Sequence, residues 1–290
     1  MALSRCLLAN GYKVVCLTRN VDRAGKMLDP GVHPVRWDGR TVDGWADEVD
    51  GSFAVVNLAG SSIGAGRWTK EVRDRIRKSR IEAGRAVAGA VRLAENKPMV
   101  VIQASAIGFY PNRSDDELTE DSESGDGFLS SVCRDWEEST RSVESDSLRR
   151  IIIRTGLVLG EGGLLDRMVT PMRLFIGGFL GSGRQWMSWI HIKDEVEAIR
   201  FLMESGLEGV YNLASPDSIR NKEFCRALSR ALKRPCWLPV PAPLLKLVFG
   251  RMAVETILSS QHVTSRRLEK AGYSFRFSGV EEAFDDIFNG

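Results

Sequence analysis

The chain has no paired cysteines. Its five, Cys6, Cys16, Cys133, Cys225 and Cys236, form no C-x-x-C and no metal-ligand spacing. An odd, scattered set reads as reduced thiols, so a disulfide scaffold and a zinc ribbon are excluded and a cytoplasmic location is expected. No apolar run approaches the roughly 18–20 residues that span a bilayer. No basic, apolar and small-residue leader opens the sequence, so no membrane partner is expected. A surplus of one charge sign is missing too: 40 basic residues face 38 acidic ones, for a net charge of +2. A nucleic-acid surface needs clustered Lys and Arg excess, and none is expected here. Tandem repeats and low-complexity tracts are absent, and no glycine precedes Gly11.

What is present is an α/β pattern. The 290 residues are 43% hydrophobic and 27% charged, enough for one large α/β domain or a domain with a smaller lobe. Leu3, Leu7 and Leu8 share a helix face, and Gly11 is placed to end that helix. Strands are expected at 12–19 and 32–38. The apolar run "FAVVNLAG" (53–60), stopped by glycine, reads as a strand buried on both faces. A helix over 69–94 carries Val72, Ile76, Ala83, Val87 and Val91 on one stripe, and "PMVVIQASA" (98–106) is the next buried strand. The acidic stretch 114–126 reads as a solvated loop. A helix over 127–143 and the strand "RIIIRTGLVLG" (150–160) follow, then helix 194–204, strand "GVYNLAS" and helix 221–233. Such βαβ alternation predicts a Rossmann-type, doubly wound parallel sheet with a smaller C-terminal lobe. The divisions expected are 1–160 for dinucleotide binding, 161–234 for a cleft lobe interleaved with the sheet, and 235–290 for a small helical domain.

In this fold the residue ending the second strand meets the cofactor ribose. An acid there favours NAD, whereas an arginine can pair with the 2′-phosphate of NADP. Thr18 and Arg19 hold that place. The alternative is a solvated basic turn, since Arg23 and Lys26 are near.

Five motifs occur in order: "NLAG" closing a strand, Ser79–Arg80 in the following helix, "SAIGFY" (105–110), "RTGLVLG" (154–160) and "WIHIKD" (189–194). The sequence resembles the NAD-dependent epimerase/dehydratase family of extended short-chain dehydrogenase/reductase proteins. More narrowly, it is similar to the uncharacterised "epimerase family protein" subgroup. The stretch 249–277 resembles the small domain of unknown function that ends those proteins. The resemblance covers essentially the whole chain. It implies an NADP cofactor, with Leu58, Ala59 and Gly60 letting the adenosine side lie close to the backbone and Arg80 contacting the cofactor. It also implies that a first strand and a G-x-x-G-x-x-G turn stand before the opening helix. About 15 such residues are absent here, judged from one strand plus its turn. A misassigned start or a truncation is the expected reason.

Typical members of the wider family use Ser/Thr with Y-x-x-x-K. The residues four places after the four tyrosines are Cys16, Ser114, Ser215 and Phe277, so that dyad is absent. The helix expected to carry it reads "FLSSVCRDWEE" (128–138). Arg134 could bring charge near the ribose but cannot transfer protons. The remaining candidates are Ser105, as hydrogen-bond donor to a substrate oxygen, and Tyr110, as proton donor without an activating neighbour. For both, a turn cap or a packed ring is the competing role. His191 is expected to be structural and Asp194 to cap the next helix. Trp68, Trp186 and Trp189 line either a pocket or the core, and "GSGR" (181–184) is a weak phosphate-loop match. Two functions stay open: an NADP-dependent oxidoreductase or epimerase acting on a small, sugar-like substrate through an atypical site, or a dinucleotide-binding sensor without turnover. A homodimer is compatible with either.

Overall fold

The computed structural model describes residues 1–64, 66–113, 115–145 and 147–290. In chain order, α1 (Ala2–Ala9) turns at Gly11, whose φ of 84° suits glycine, into β1 (Val14–Thr18). The Asn20 side chain accepts from the Arg23 amide and so starts α2 (Val21–Met27), which leads to β2 (Val32–Arg36). β3 (Ala54–Asn57), α3 (Lys70–Leu93, capped by Thr69) and β4 (Val100–Ala106) follow. Next come β5 (Glu117–Leu118), α4 (Phe128–Glu138), β6 (Arg149–Thr155) and β7 (Leu157–Leu159). The chain continues through α5 (Gly163–Arg173), β8 (Trp186–Met187), β9 (Trp189–His191), α6 (Ile192–Glu204), β10 (Gly209–Leu213), β11 (Ile219–Arg220) and α7 (Asn221–Ala231). It ends with α8 (Ala242–Phe249), β12 (His262–Val263), α9 (Arg266–Lys270) and α10 (Val280–Asn289).

The main sheet is parallel and runs β10-β6-β4-β3, with β1 and β2 forming a separate parallel pair. Between β1 and β3 the hydrogen-bond ladder is interrupted. Just before the two strands their flanking residues meet, Tyr12 on Phe53 with ring centroids 5.9 Å apart. In a 3-2-1-4-5-6 order, that interruption is where the first strand of the fold lies. The helices wind on both faces. Val100, Ile102, Ile151 and Ile153 pack against Leu7 of α1 and Ala198, Ile199 and Leu202 of α6. Val101 on the opposite face packs against Ala83, Val87 and Val91 of α3. The alternation follows directly from the period-2 pleat of β4.

Four local expectations change. The stretch 150–160 is not one strand: Gly156 breaks it, and Leu157–Leu159 leaves to pair with β9. A Cβ on Gly156 would lie 2.6 Å from the Ser188 carbonyl, so only glycine permits that crossing. The helix expected to reach 143 stops at Glu138, and Arg141–Val143 forms a 3-10 turn. The acidic stretch is more than a solvated loop. Its Leu118 is buried, β5 pairs with β12, and Glu120 accepts the Asn212 amide. Ser114, at its start, lies outside the described residues. Asp194 does not cap α6; the His191 ring nitrogen Nδ1 accepts from the Lys193 amide instead. The Asp194 carboxylate takes the Arg276 and Phe277 amides at 2.8 and 2.9 Å and the Tyr273 hydroxyl, fastening the C-terminal segment to α6.

Candidate cofactor and reaction site

Parallel strands point their carboxyl ends to one side, and ligands bind there. Thr18, Asn57, Ser105 and Thr155 occur at or beside those ends. At β1, the Thr18 hydroxyl accepts the Asn20 amide, and the Thr18 carbonyl accepts the Trp37 amide. Arg19 stands between these fixed neighbours, exposed and without an ion-pair partner among the described residues. At β3, Asn57 is buried. Its amide donates to Gln103 at 2.8 Å, and its oxygen accepts the Ala59 amide, which sets the turn through Leu58, Ala59 and Gly60. Leu58 keeps half its surface exposed at this strand end.

The turn is held from α3. The Ser79 hydroxyl accepts the Ser61 amide at 3.0 Å, and the Arg80 guanidinium donates to the Ser61 carbonyl at 3.0 Å and to its own helix carbonyl at Ile76. Arg80 also stacks on Trp136 of α4 at 4.8 Å, and a Cβ on Gly60 would lie 3.0 Å from its Cζ. Burial pulls the Arg80 guanidinium below its ordinary value, and it stays a cation. Its hydrogen bonds to protein therefore go to the turn and to its own helix, and Arg80 supports the turn from beneath.

Around Ser105, the sheet register brings three polar side chains into one rung: Ser105 on β4, Arg154 on β6 and Asn212 on β10. α4 supplies their counter-charge. Arg154 grips Glu137 through Nε at 2.9 Å and Nη2 at 3.0 Å, and Ser105 donates to the same carboxylate at 2.6 Å. Arg154 also donates to the Tyr110 hydroxyl at 3.1 Å and lies over the Phe109 ring at 3.4 Å. The Tyr110 hydroxyl donates to Asn212 at 2.6 Å. Tyr110 is only 2% exposed, so both roles of its hydroxyl are consumed inside the protein. Burial raises its pKa, partly offset by Arg154, which makes it a poorer acid. Ser105 is 4% exposed. Cys133, on the same helix, is buried and pushed up to about 11 by desolvation, so it is an inert thiol. The structure thus gathers Ser105 and Tyr110 into one network through Glu137, Arg154 and Asn212, and sets Thr18, Arg19 and the Leu58–Gly60 turn at the carboxyl ends of β1 and β3.

Sequence reading missed Glu137, Arg154 and Asn212. One signal was available: an arginine ending the apolar strand "RIIIRT" has to find a buried anion. Glu195 was missed as well. It is buried beside Thr155, whose hydroxyl donates to it at 2.9 Å, and desolvation lifts its pKa to about 8. Of the tryptophans, Trp68 and Trp189 are core residues, while Trp186 stacks on His262 at 4.1 Å. "GSGR" forms a turn beside Val240 with no helix opening after it. A groove of about 440 Å³ is lined by Phe109, Glu137 and Arg154 of this network together with mid-strand Ile152 and Val210. Among the described residues no group of side chains is arranged for a metal, and no helix is long and apolar enough to cross a membrane.

Residues 1–214 match the family model described as "NAD dependent epimerase/dehydratase family". The chain belongs to that family. Residues 240–287 match a second model, a domain of unknown function. Among epimerase family relatives, the chain is 34% identical over 289 residues to YfhF of Bacillus subtilis, covering 98% of this chain and 93% of that protein. It is 39% identical over 285 residues to the chloroplastic SDR39U1 homolog of Arabidopsis thaliana, covering 97% of this chain and 81% of that one. The crystal structure of human epimerase family protein SDR39U1 with NADPH superposes with a TM-score of 0.88 at 32% identity, over 100% of this chain and 95% of that chain. A nucleoside-diphosphate sugar epimerase of Corynebacterium glutamicum gives 0.71 at 28% identity, over 99% of this chain and 61% of that chain. The Rossmann-like α/β architecture and the epimerase/dehydratase assignment therefore agree.

Proposed function

We propose that this protein binds NADPH and acts as an NADP-dependent oxidoreductase or epimerase on a small, sugar-like substrate. The observation that carries the cofactor choice is Arg19, an exposed guanidinium without an ion-pair partner among the described residues, at the carboxyl end of β1, where NAD-selective sites use an acid. The NADPH held by the human relative supports it. Arg19 and Thr18 hold the 2′-phosphate and ribose, and exposed Leu58 with Ala59 and Gly60 receives the adenosine side. Arg80 keeps that turn in place. When bound, the nicotinamide supplies hydride chemistry. Ser105 positions the reacting oxygen, with Glu137 and Arg154 fixing its hydroxyl. The sugar-like substrate rests on the similarity to the Corynebacterium epimerase.

The sealed Tyr110 hydroxyl favours a second reading, a dinucleotide-binding sensor without turnover. Titration with NADPH and NADH separates these ideas. NADPH is expected to bind about tenfold or more tightly than NADH, the scale of one hydrogen bond to a charged group, and Arg19→Ala removes the difference. Equal affinities in the unaltered protein refute the assignment of Arg19. NADPH binding without turnover across sugar and nucleotide-sugar panels selects the sensor.

A further inference from the structure

The acidic residues of this nearly neutral chain are unevenly placed. Between Asp166 and Asp194 there are four basic residues and no acid, and between Glu223 and Glu255 six basic residues and no acid. The fold brings these two stretches together. The Trp237 and Leu238 amides donate to the Gly177 carbonyl, Leu180 bridges Val240 in parallel, and the Trp237 indole donates to the Phe175 carbonyl at 3.0 Å.

Their outer side is apolar. Leu174, Phe175 and Ile176 are 63, 53 and 53% exposed, and Trp237 is 66% exposed. Phe175 has a φ of 63°, a conformation that non-glycine residues avoid, within the turn that carries these side chains at the surface. The same chain segment continues into α8, where Leu244, Leu247 and Val248 occur at i, i+3 and i+4 and stay exposed while Leu245 turns inward. An amphipathic helix has thus put an apolar stripe toward solvent. Around it stand Arg173, Lys233, Arg234 and Lys246, none with an acidic partner among the described residues. Arg234 lies over the Phe175 ring at 4.9 Å, so cationic and apolar groups share one surface.

We propose that this face docks the protein on an anionic lipid surface, with the 174–176 turn, Trp237 and the α8 stripe entering the headgroup boundary and the basic rim meeting lipid phosphates. Exposed apolar side chains on two stretches that hold basic residues and no acid are the composition of an interfacial contact, and an indole suits that boundary. A second copy of this chain is a poorer occupant, because a two-fold contact would set basic rim against basic rim. This is contact with one leaflet, distinct from spanning the bilayer.

Co-sedimentation of the full chain with phosphatidylglycerol-containing and pure phosphatidylcholine vesicles tests the proposal. Binding is expected to the anionic vesicles, with loss as salt rises from about 0.1 to 1 M. Leu247→Asp and Phe175→Asp should each lower the partition about tenfold or more, since each replaces an inserted apolar group by an anion. Leu93→Asp, at a comparably exposed leucine at the end of α3, should leave it unchanged. Matched circular dichroism and melting curves show that the variants are folded. Equal binding to both vesicle types, no binding to either, or equal losses for Leu93→Asp and Leu247→Asp would overturn the proposal. So would a concentration-dependent dimer that Leu247→Asp dissolves, which would make the face a self-interface.

Discussion

Replacing Arg154 by methionine isolates what the buried network contributes. Arg154 is 5% exposed and makes two bonds to Glu137, one to Tyr110 and one to the Glu120 carbonyl. Methionine fills much of the stem volume beside Phe109 but strands the Glu137 carboxylate, which keeps only the Ser105 hydroxyl from the rung. Breaking a buried pair from one side costs about 3–5 kcal/mol, because the remaining charge is uncompensated. A domain of this kind has about 5–15 kcal/mol in total. At about 2–4 °C per kcal/mol, the melting temperature should fall by about 6 to 20 °C. Arg154→Lys should cost nearly as much, since an ammonium cannot bridge both carboxylate oxygens. Adding Glu137→Met to Arg154→Met should recover about 2 kcal/mol or more, because the orphaned charge is gone. Urea unfolding of the two single variants and the double variant measures all three terms. A loss below about 1 kcal/mol for Arg154→Met, or simple additivity in the double variant, would refute the reasoning.

Glu195 makes stability pH-dependent. Its pKa is about 8 folded against an ordinary 4.5, so between those values the native state holds more protons than the unfolded one. Stability from this group therefore falls as pH rises through that window, by at most about 1.4 kcal/mol per unit. Glu195→Gln keeps an acceptor for Thr155 and should grow more stable than the unaltered protein from pH 5 to 8, with the gap constant above, as read by urea unfolding across pH. Asp194→Ala removes the acceptor of the Arg276 and Phe277 amides and of the Tyr273 hydroxyl. It should cost about 3 kcal/mol and expose the segment after Tyr273 to limited proteolysis. The interrupted ladder between β1 and β3 should appear in amide exchange, with residues 14–18 and 54–57 exchanging faster than 100–106 and 151–155.

The sheet was readable without coordinates because its signals are local. "PMVVIQASA" is apolar on both pleat faces and forms a strand covered by helices on both sides, whereas "FAVVNLAG" forms a strand as read but Ala54, Val55 and Val56 stay half-buried and Phe53 and Leu58 exposed. The stripe of α3 is local in the same way, and the Arg19 position follows from strand order once the first strand implied by the resemblance is counted. A missing first strand, and with it an interruption between β1 and β3, was implied by the family resemblance. Tertiary structure decided what lies across the rungs. Whether Tyr110 faces a cleft or is sealed depends on Asn212, 102 residues away, and on Arg154. Glu137 sits on a helix whose sequence shows ordinary surface acids, and only the register of β4, β6 and β10 makes it the partly buried partner of Arg154 and Ser105. Asp194 looked like a helix cap because caps are local. It became an anchor for the C-terminal segment because residues 273–277 fold back over α6. Local patterns fix which residues are helical, extended or buried, but pairings between distant charged and polar groups arise only when the strands are set side by side.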